Sequence, residues 1–224
     1  MTRIQQLGEL SEVTPSPSSD QFEGLGEGLG DTPVIAPGDI VDGKIAERSF
    51  LRSLDGVPDA LARFRVVPGD LVMVRQGAVG RMALVEERSR DWIYHFACMR
   101  IRPRRELVDP GYLIAYLSHP QVLDQLLARA NVGTVTTVTA RMVEELPVAA
   151  PPLTEQRLLV GALAEVEAQV ENHRRSLARL EALRPALITH LLGGEVPGER
   201  LPVATTALEP VRRAARGPRP RRLS

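Results

Sequence analysis

The stretch from Pro147 to Gly194 restricts this chain most: PVAAPPLTEQ, then a long run of apolar residues at helical spacing, then LLGGE. Pro151 and Pro152 end whatever precedes them, because proline lacks an amide and holds the residue before it in extended backbone. Thr154 is a good N-cap, and Leu153 and Leu158 have the spacing of a hydrophobic staple across it. Beyond the cap, Leu159, Leu163, Val166, Val170, His173, Leu177, Leu180, Arg184, Leu187 and Leu191 follow alternating steps of four and three. A seam that narrow belongs to a helix lying along another helix, in the manner of a coiled coil, rather than one roofing a core. Unbroken from Glu155 to Leu192, such a helix spans about 57 Å at 1.5 Å per residue. Gly193-Gly194 supplies its stop. Pro185 leaves the Glu181 carbonyl without an amide partner, so a kink or restart is expected there.

The other 150 residues before this helix are enough for one substantial domain. Cys98 is the only cysteine, which excludes an internal disulfide and a cysteine-built zinc site and suits a cytoplasmic chain. His95, His119, His173 and His190 show no metal-ligand spacing. MTRIQQLGEL lacks the apolar core of a signal peptide, and no apolar run approaches the ~20 residues that cross a bilayer. The formal net charge is zero, yet residues 1–42 are acidic while residues 43–110 and 197–224 are basic. Lys44 is the single lysine, so the positive charge is arginine. A GC-rich coding sequence explains that bias most simply, and a basic middle is compatible with a local nucleic-acid face.

Taken in order, the first forty residues read as loop, because TPSPSSD and EGLGEGLGD are rich in turn residues. Val34-Ile35 and Ile40-Val41 suggest short strands around a Pro-Gly turn. Leu71 to Val74 and Met82 to Val85 read as two strands of a hairpin, with Gly77 and Gly80 in its loop. Trp92 to Arg102 reads as one long strand, with Arg100 and Arg102 on its polar face. Asp109-Pro110 opens a helix as N-cap and first residue, and His119-Pro120 restarts it. GTVTTVTA, Gly133 to Ala140, is a loop or short strand. Residues 193–224 have no apolar period and are expected to be disordered. The fold class is therefore mixed α/β (α+β): a compact domain with short strands, followed by one long coiled-coil-type helix.

Two fragments hint at a methyltransferase. Phe22-Glu23-Gly24-Leu25-Gly26 has the spacing of an S-adenosylmethionine loop, and Asp109-Pro110-Gly111-Tyr112 approaches the D-P-P-Y of adenine methyltransferases. The first does not follow a strand that could bring its backbone to a cofactor, and Asp109 serves better as a helix cap. Cys98, within a strand, reads as buried filler rather than a nucleophile. The arrangement that remains is for binding. Arg75, Gln76 and Arg81 flank Gly77 and Gly80; arginine and glutamine pair with base edges, and glycine lets backbone approach a phosphate. Arg100, Arg102 and the hydroxyls of Thr134, Thr136, Thr137 and Thr139 extend the candidate surface. The competing reading makes them solvated hairpin tips and strand threonines.

These segments also carry a resemblance. GDLVMVRQGAVGRMALV, then IRP and VDPGYLIAYLSHPQV, then LPVAAPPLTEQRLLVGAL and LLGGEV resemble, in order and spacing over residues 34–196, the specificity subunit of type I restriction–modification systems. The P-P-L-x-E-Q opening of the long helix is the most specific part. The resemblance implies a target recognition domain over residues 1–153 that reads half of a bipartite DNA site. It implies a spacer helix over 154–192 that docks DNA methyltransferase (modification) subunits, with a restriction or translocase subunit as a possible further partner. It also implies no catalysis and no cofactor in this chain, S-adenosylmethionine belonging to the methyltransferase partner. Family members carry two recognition domains and two helices; this chain resembles one half, and no internal repeat supplies the other. Two copies paired about a twofold axis through Leu159, Leu163, Val166, Val170, His173, Leu177, Leu180, Leu187 and Leu191 would restore the arrangement, as would pairing with a different half. An adaptor that dimerises without reading DNA is the alternative, and an autonomous adenine methyltransferase a more remote one.

Overall fold

The computed structural model describes residues 2–22, 32–46, 53–54, 59–131 and 133–191. The chain opens with β1 (Arg3–Gln6), a single turn α1 (Leu7–Leu10) and β2 (Ser11–Thr14). Short strands follow: β3 (Thr32–Ile35), β4 (Ile40–Val41), β5 (Lys44–Ile45) and β6 (Ser53–Leu54), then the turn α2 (Asp59–Ala62). The hairpin strands are β7 (Leu71–Val74) and β8 (Met82–Leu84), followed by β9 (Ile93–Tyr94) and β10 (Cys98–Pro103). The helices α3 (Pro110–Leu117), α4 (Pro120–Leu127) and α5 (Ala140–Glu144) precede β11 (Pro147–Ala150) and the long α6 (Leu153–Leu191).

The central sheet runs β2-β10-β7-β8, antiparallel throughout. Its side chains alternate between two apolar clusters. Leu71, Met73, Met99 and Ile101 enter one, built with α1, α3, α4 and α5; Val72, Val74 and Cys98 enter the other, with Ile35, Phe64, Ile93 and Tyr94. A sheet covered on both faces shows continuous apolar strands, and LVMV of β7 is buried at every position. β1 pairs antiparallel with β11, tying the N-terminus to the segment that leads into α6. β3 sits between β6 and β9 in a second small sheet.

The helix caps follow the sequence. The Asp109 carboxylate accepts the amides of Gly111 and Tyr112, at 2.8 and 3.2 Å, with Pro110 as the first helical residue. His119 caps α4 through Nδ1, and Thr139 caps α5 by accepting the Met142 amide.

Four expectations are corrected. The first forty residues are not all loop: Leu7 and Leu10 are fully buried, and β2 is an edge of the central sheet. The run from Trp92 to Arg102 is two strands, because a turn at residues 95–97, closed by the Cys98 amide on the His95 carbonyl, moves the chain from one sheet to the other. The long helix begins at Leu153 rather than after Thr154; the Pro152 carbonyl accepts the amides of Glu155 and Gln156, and Leu158 is exposed, so no staple closes. Of the kink or restart expected at Pro185, the restart is absent: the helix runs on through that residue. On an exposed helix the Glu181 carbonyl is open to water, and the Thr189 hydroxyl caps the Pro185 carbonyl at 3.0 Å. The tail from 193 and the Gly24–Gly26 loop lie outside the described residues.

Two compact units divide the chain, residues 1–170 and 171–224, the boundary falling within α6. From Gly161 onward every described residue of α6 except Thr189 is exposed, and the apolar seam positions from Leu159 to Leu191 are 44–81 % exposed.

Candidate nucleic-acid interface

The hairpin and the threonine loop, 59 to 63 residues apart in sequence, are bonded to each other. Beyond β7 the chain continues extended through Arg75 and Gln76 and pairs with the loop: the Val138 amide donates to the Arg75 carbonyl at 2.9 Å and the Gly77 amide to the Thr136 carbonyl at 3.0 Å. Gln76 and Thr137 form an antiparallel bridge, and Thr137 bridges Asn131 on its other side. Thr134 is exposed and Thr136 and Thr137 are half-buried, beside exposed Gly77. Arg75 is held between the loop and the 95–97 turn, Nε at 3.4 Å from the Val138 carbonyl and Nη1 at 3.4 Å from that of Phe96. Next to it Phe22, His95 and Phe96 form an aromatic group, with His95 and Phe96 ring centres 3.9 Å apart.

The hairpin turn depends on its glycines. Gly77 and Gly80 both have positive φ, +82° and +88°. A Cβ on Gly80 would lie 2.8 Å from Leu123 Cδ2 of α4, so this glycine also permits the hairpin to pack on the helix. A Cβ on Gly77 would meet nothing within 4 Å, so there is open space beside it, while its amide is already given to Thr136.

The remaining arginines of the candidate set are placed differently. Arg81 Nη2 donates to the carbonyls of Pro37 and Ile40, holding the β3–β4 turn against the hairpin. Arg100 is buried at 5 % exposure; it donates to the carbonyls of Arg63 and Arg65, to Thr14 Oγ1 at 2.7 Å and to Glu12 at 3.1 Å. Arg102 makes a two-pronged pair with buried Asp70, both contacts 2.7 Å. That bond holds the Arg102 guanidinium above its ordinary pKa. Arg100 lies on the covered side of β10, where strand alternation alone cannot distinguish a solvent face from a second core, and Arg102, on the same side, is partly exposed. They tie the fold together, whereas Arg75, Gln76, Gly77 and the threonines of the 134–137 loop gather in one place.

Burial pushes the Cys98 thiol up to about 12, so it remains a protonated core residue at neutral pH. Among the described residues no group of His, Cys, Asp and Glu is arranged to hold a metal, and no helix is long and apolar enough to cross a membrane.

Sequence reasoning missed Gln156. It is wholly buried at the foot of α6: its Oε1 accepts the Asp109 amide at 2.8 Å, and its Nε2 donates to the carbonyls of Pro151 and Leu107 at 2.7 and 3.2 Å. One turn on, Val160 packs on Gly111, where a Cβ would meet Val160 Cγ1 at 3.1 Å. Two signals were available: Gln156 closes the P-P-L-x-E-Q opening of the helix, and it occupies the seam position one heptad before Leu163.

An α/β head that presents a glycine hairpin bonded to a hydroxyl-bearing loop, and passes into a long helix with an exposed apolar seam, has the build of a binding and docking module. The chain belongs to the type I restriction modification DNA specificity domain family, whose model matches residues 3–182. It is similar to the type I restriction enzyme EcoBI specificity subunit of Escherichia coli, 25% identical over 169 residues that make up 72% of this chain and 35% of that protein. Among solved structures it is similar to the HsdS subunit from Thermoanaerobacter tengcongensis (TM-score 0.65, 23% identity, 90% of this chain and 52% of that one). It is also similar to a chain from a type I R-M system described for its complex assembly and conformational transition (TM-score 0.62, 23% identity, 86% and 45%). These likenesses bear out the mixed α/β fold with its long helix. The chain spans about half, or less, of the length of these relatives.

Proposed function

We propose that this chain is a non-catalytic DNA-specificity subunit with a single reading head, working in a type I restriction–modification complex. The observation that carries the reading is the bonding of Arg75–Gly77 to Thr136–Val138, which makes one surface from the residue types suited to base edges and phosphates. Arg75 and Gln76 are the base-edge candidates; the hydroxyls of Thr134, Thr136 and Thr137 are the phosphate candidates, and Gly77 leaves space for the backbone of a strand to approach. Arg81 and Gly80 support the hairpin from behind, and Arg100 and Arg102 act by stabilising the fold. The exposed seam of α6 offers a docking surface for a methyltransferase subunit and for a second half, either another copy of this chain or a different half-subunit. A restriction or translocase subunit would join through that assembly, and S-adenosylmethionine would be bound by the methyltransferase, all in the cytoplasm.

Binding to duplex DNA over a salt series, with and without the methyltransferase partner, tests the reading. Contacts to several phosphates make affinity fall steeply with salt, and Arg75→Ala with Gln76→Ala should weaken sequence preference more than fold stability. Salt-independent binding, or none under either condition, contradicts it. An adaptor that reads no DNA would keep all its interactions in those variants. Methyl transfer from labelled cofactor by the isolated chain would contradict the non-catalytic assignment.

A further inference from the structure

Three chain segments lie side by side beyond the end of β7, and two bridges fix which of their side chains share a face. Gln76 and Thr137 form one antiparallel bridge, and Thr137 and Asn131 form another. Residues directly opposite each other in antiparallel pairing point their side chains to the same side. Gln76, Thr137 and Asn131 therefore make one row, with a carboxamide at each end and a hydroxyl between. The Asn131–Thr137 pair exchanges both backbone bonds, at 2.9 and 3.0 Å, whereas the Gln76–Thr137 pair lies between the bonds given by the Val138 and Gly77 amides. Pairs of these two kinds have α-carbons about 5.5 and 4.5 Å apart, so the row spans about 10 Å.

Asn131 is exposed and Gln76 half-buried, and neither carboxamide hydrogen-bonds to another described residue. An asparagine shortly after a helix commonly supplies a left-handed turn residue. That role is not used here: among the described residues, positive φ outside glycine occurs at Asp42 and Asp91. Nor does Asn131 cap a helix, since it lies beyond the end of α4 and α5 is capped by Thr139. What remains is a side chain with a donor and an acceptor, fixed by its backbone and given nothing to bind within the fold. We propose, resting on the reading of this chain as a DNA-specificity subunit, that Asn131 is a specificity-determining residue that reads an adenine in the major groove alongside Gln76. The carboxamide oxygen accepts from adenine N6 while its nitrogen donates to N7; guanine, with two acceptors on that edge, refuses the same pairing. At about 3.4 Å per base step, a 10 Å row sets its two carboxamides over different base pairs. Asn131 thus extends the reading surface one segment past the threonine loop.

The test compares the duplexes selected from a random pool by the full chain and by its Asn131→Ala variant, each with the methyltransferase partner. The substitution keeps both backbone bonds of the bridge, so the loop stays in place. The parent chain should prefer adenine at a defined position of the half-site. Asn131→Ala should lose that preference at that position alone, and bind the parent's selected duplex at least about fivefold more weakly. Asn131→Asp keeps the size and replaces the donor by an acceptor, so preference there should move from adenine to cytosine, whose N4 donates. A base analogue separates reading from support of the loop. With 7-deazaadenine at that position the N7 acceptor is gone, which should weaken binding by the parent chain and leave Asn131→Ala unaffected. Equal weakening of both chains, or an Asn131→Ala variant that selects the parent's sequence unchanged, overturns the assignment and leaves the DNA-reading proposal standing. A uniform loss of affinity across all sequences makes Asn131 a phosphate or fold contact and overturns it as well. If the parent complex enriches no sequence, the DNA-reading proposal falls and takes this assignment with it.

Discussion

Two buried polar side chains carry more of this structure than their chemistry suggests. Gln156 uses both ends of its amide to join α6, the cap of α3 and the loop before that cap. Gln156→Ala would leave the Asp109 amide and the Pro151 carbonyl without partners in a dry site, and should cost about 2–3 kcal/mol. A denaturant-unfolding midpoint equal to that of the parent chain would show that water replaces it. Asp70 is nearly inaccessible and its carboxylate is held by Arg102. Arg102→Ala strands that charge, and a loss of about 3 kcal/mol is expected in the same assay. Cys98 supplies a simpler check at this scale. With its pKa raised by burial, a thiol reagent at pH 8 should react only after unfolding, and reaction of the native chain at the unfolded rate would contradict its placement.

At the level of elements, the hairpin and the N-terminal segment make the sharpest contrasts. Gly77→Ala and Gly80→Ala both force a side chain into positive φ, which costs about 1 kcal/mol. Only Gly80→Ala also drives a Cβ into Leu123. Its loss of thermal stability should therefore be clearly the larger, and equal losses would mean α4 yields freely. Leu7→Ala should cost about 2–5 kcal/mol, since α1 is sealed under the sheet although flanked by polar sequence. Why β1, α1 and β2 were not legible in the sequence follows from this geometry. RIQQ and SEVT alternate weakly, and they become strands because β11 and β10 offer them edges from 141–147 and 86–92 residues away. The hairpin, the caps at Asp109 and His119, and the seam of α6 were legible, because each is set by neighbours within a few residues. The candidate site was legible in its residue types, and not in its assembly. Nothing local says that Gln76 meets Thr137, or that Arg100 points into a second core.

Over the whole molecule, the proposed reading assigns DNA contact to the α/β domain and the joining of partners to the long helix. Arg100 and Arg102 are engaged within the fold, and the Arg75–Gly77 strand end with the threonine loop is the surface proposed for reading sequence. Matching about half, or less, of its relatives' length, the chain would supply one such surface, and its helix carries an exposed apolar seam. Two identical heads related by a twofold axis read two identical half-sites in opposite orientation. The most direct measurement is selection of bound duplexes from a random pool by the full chain together with its methyltransferase partner. The account predicts enrichment of an inverted repeat at one fixed spacing, lost in Arg75→Ala/Gln76→Ala. Recovery of no common sequence would contradict it.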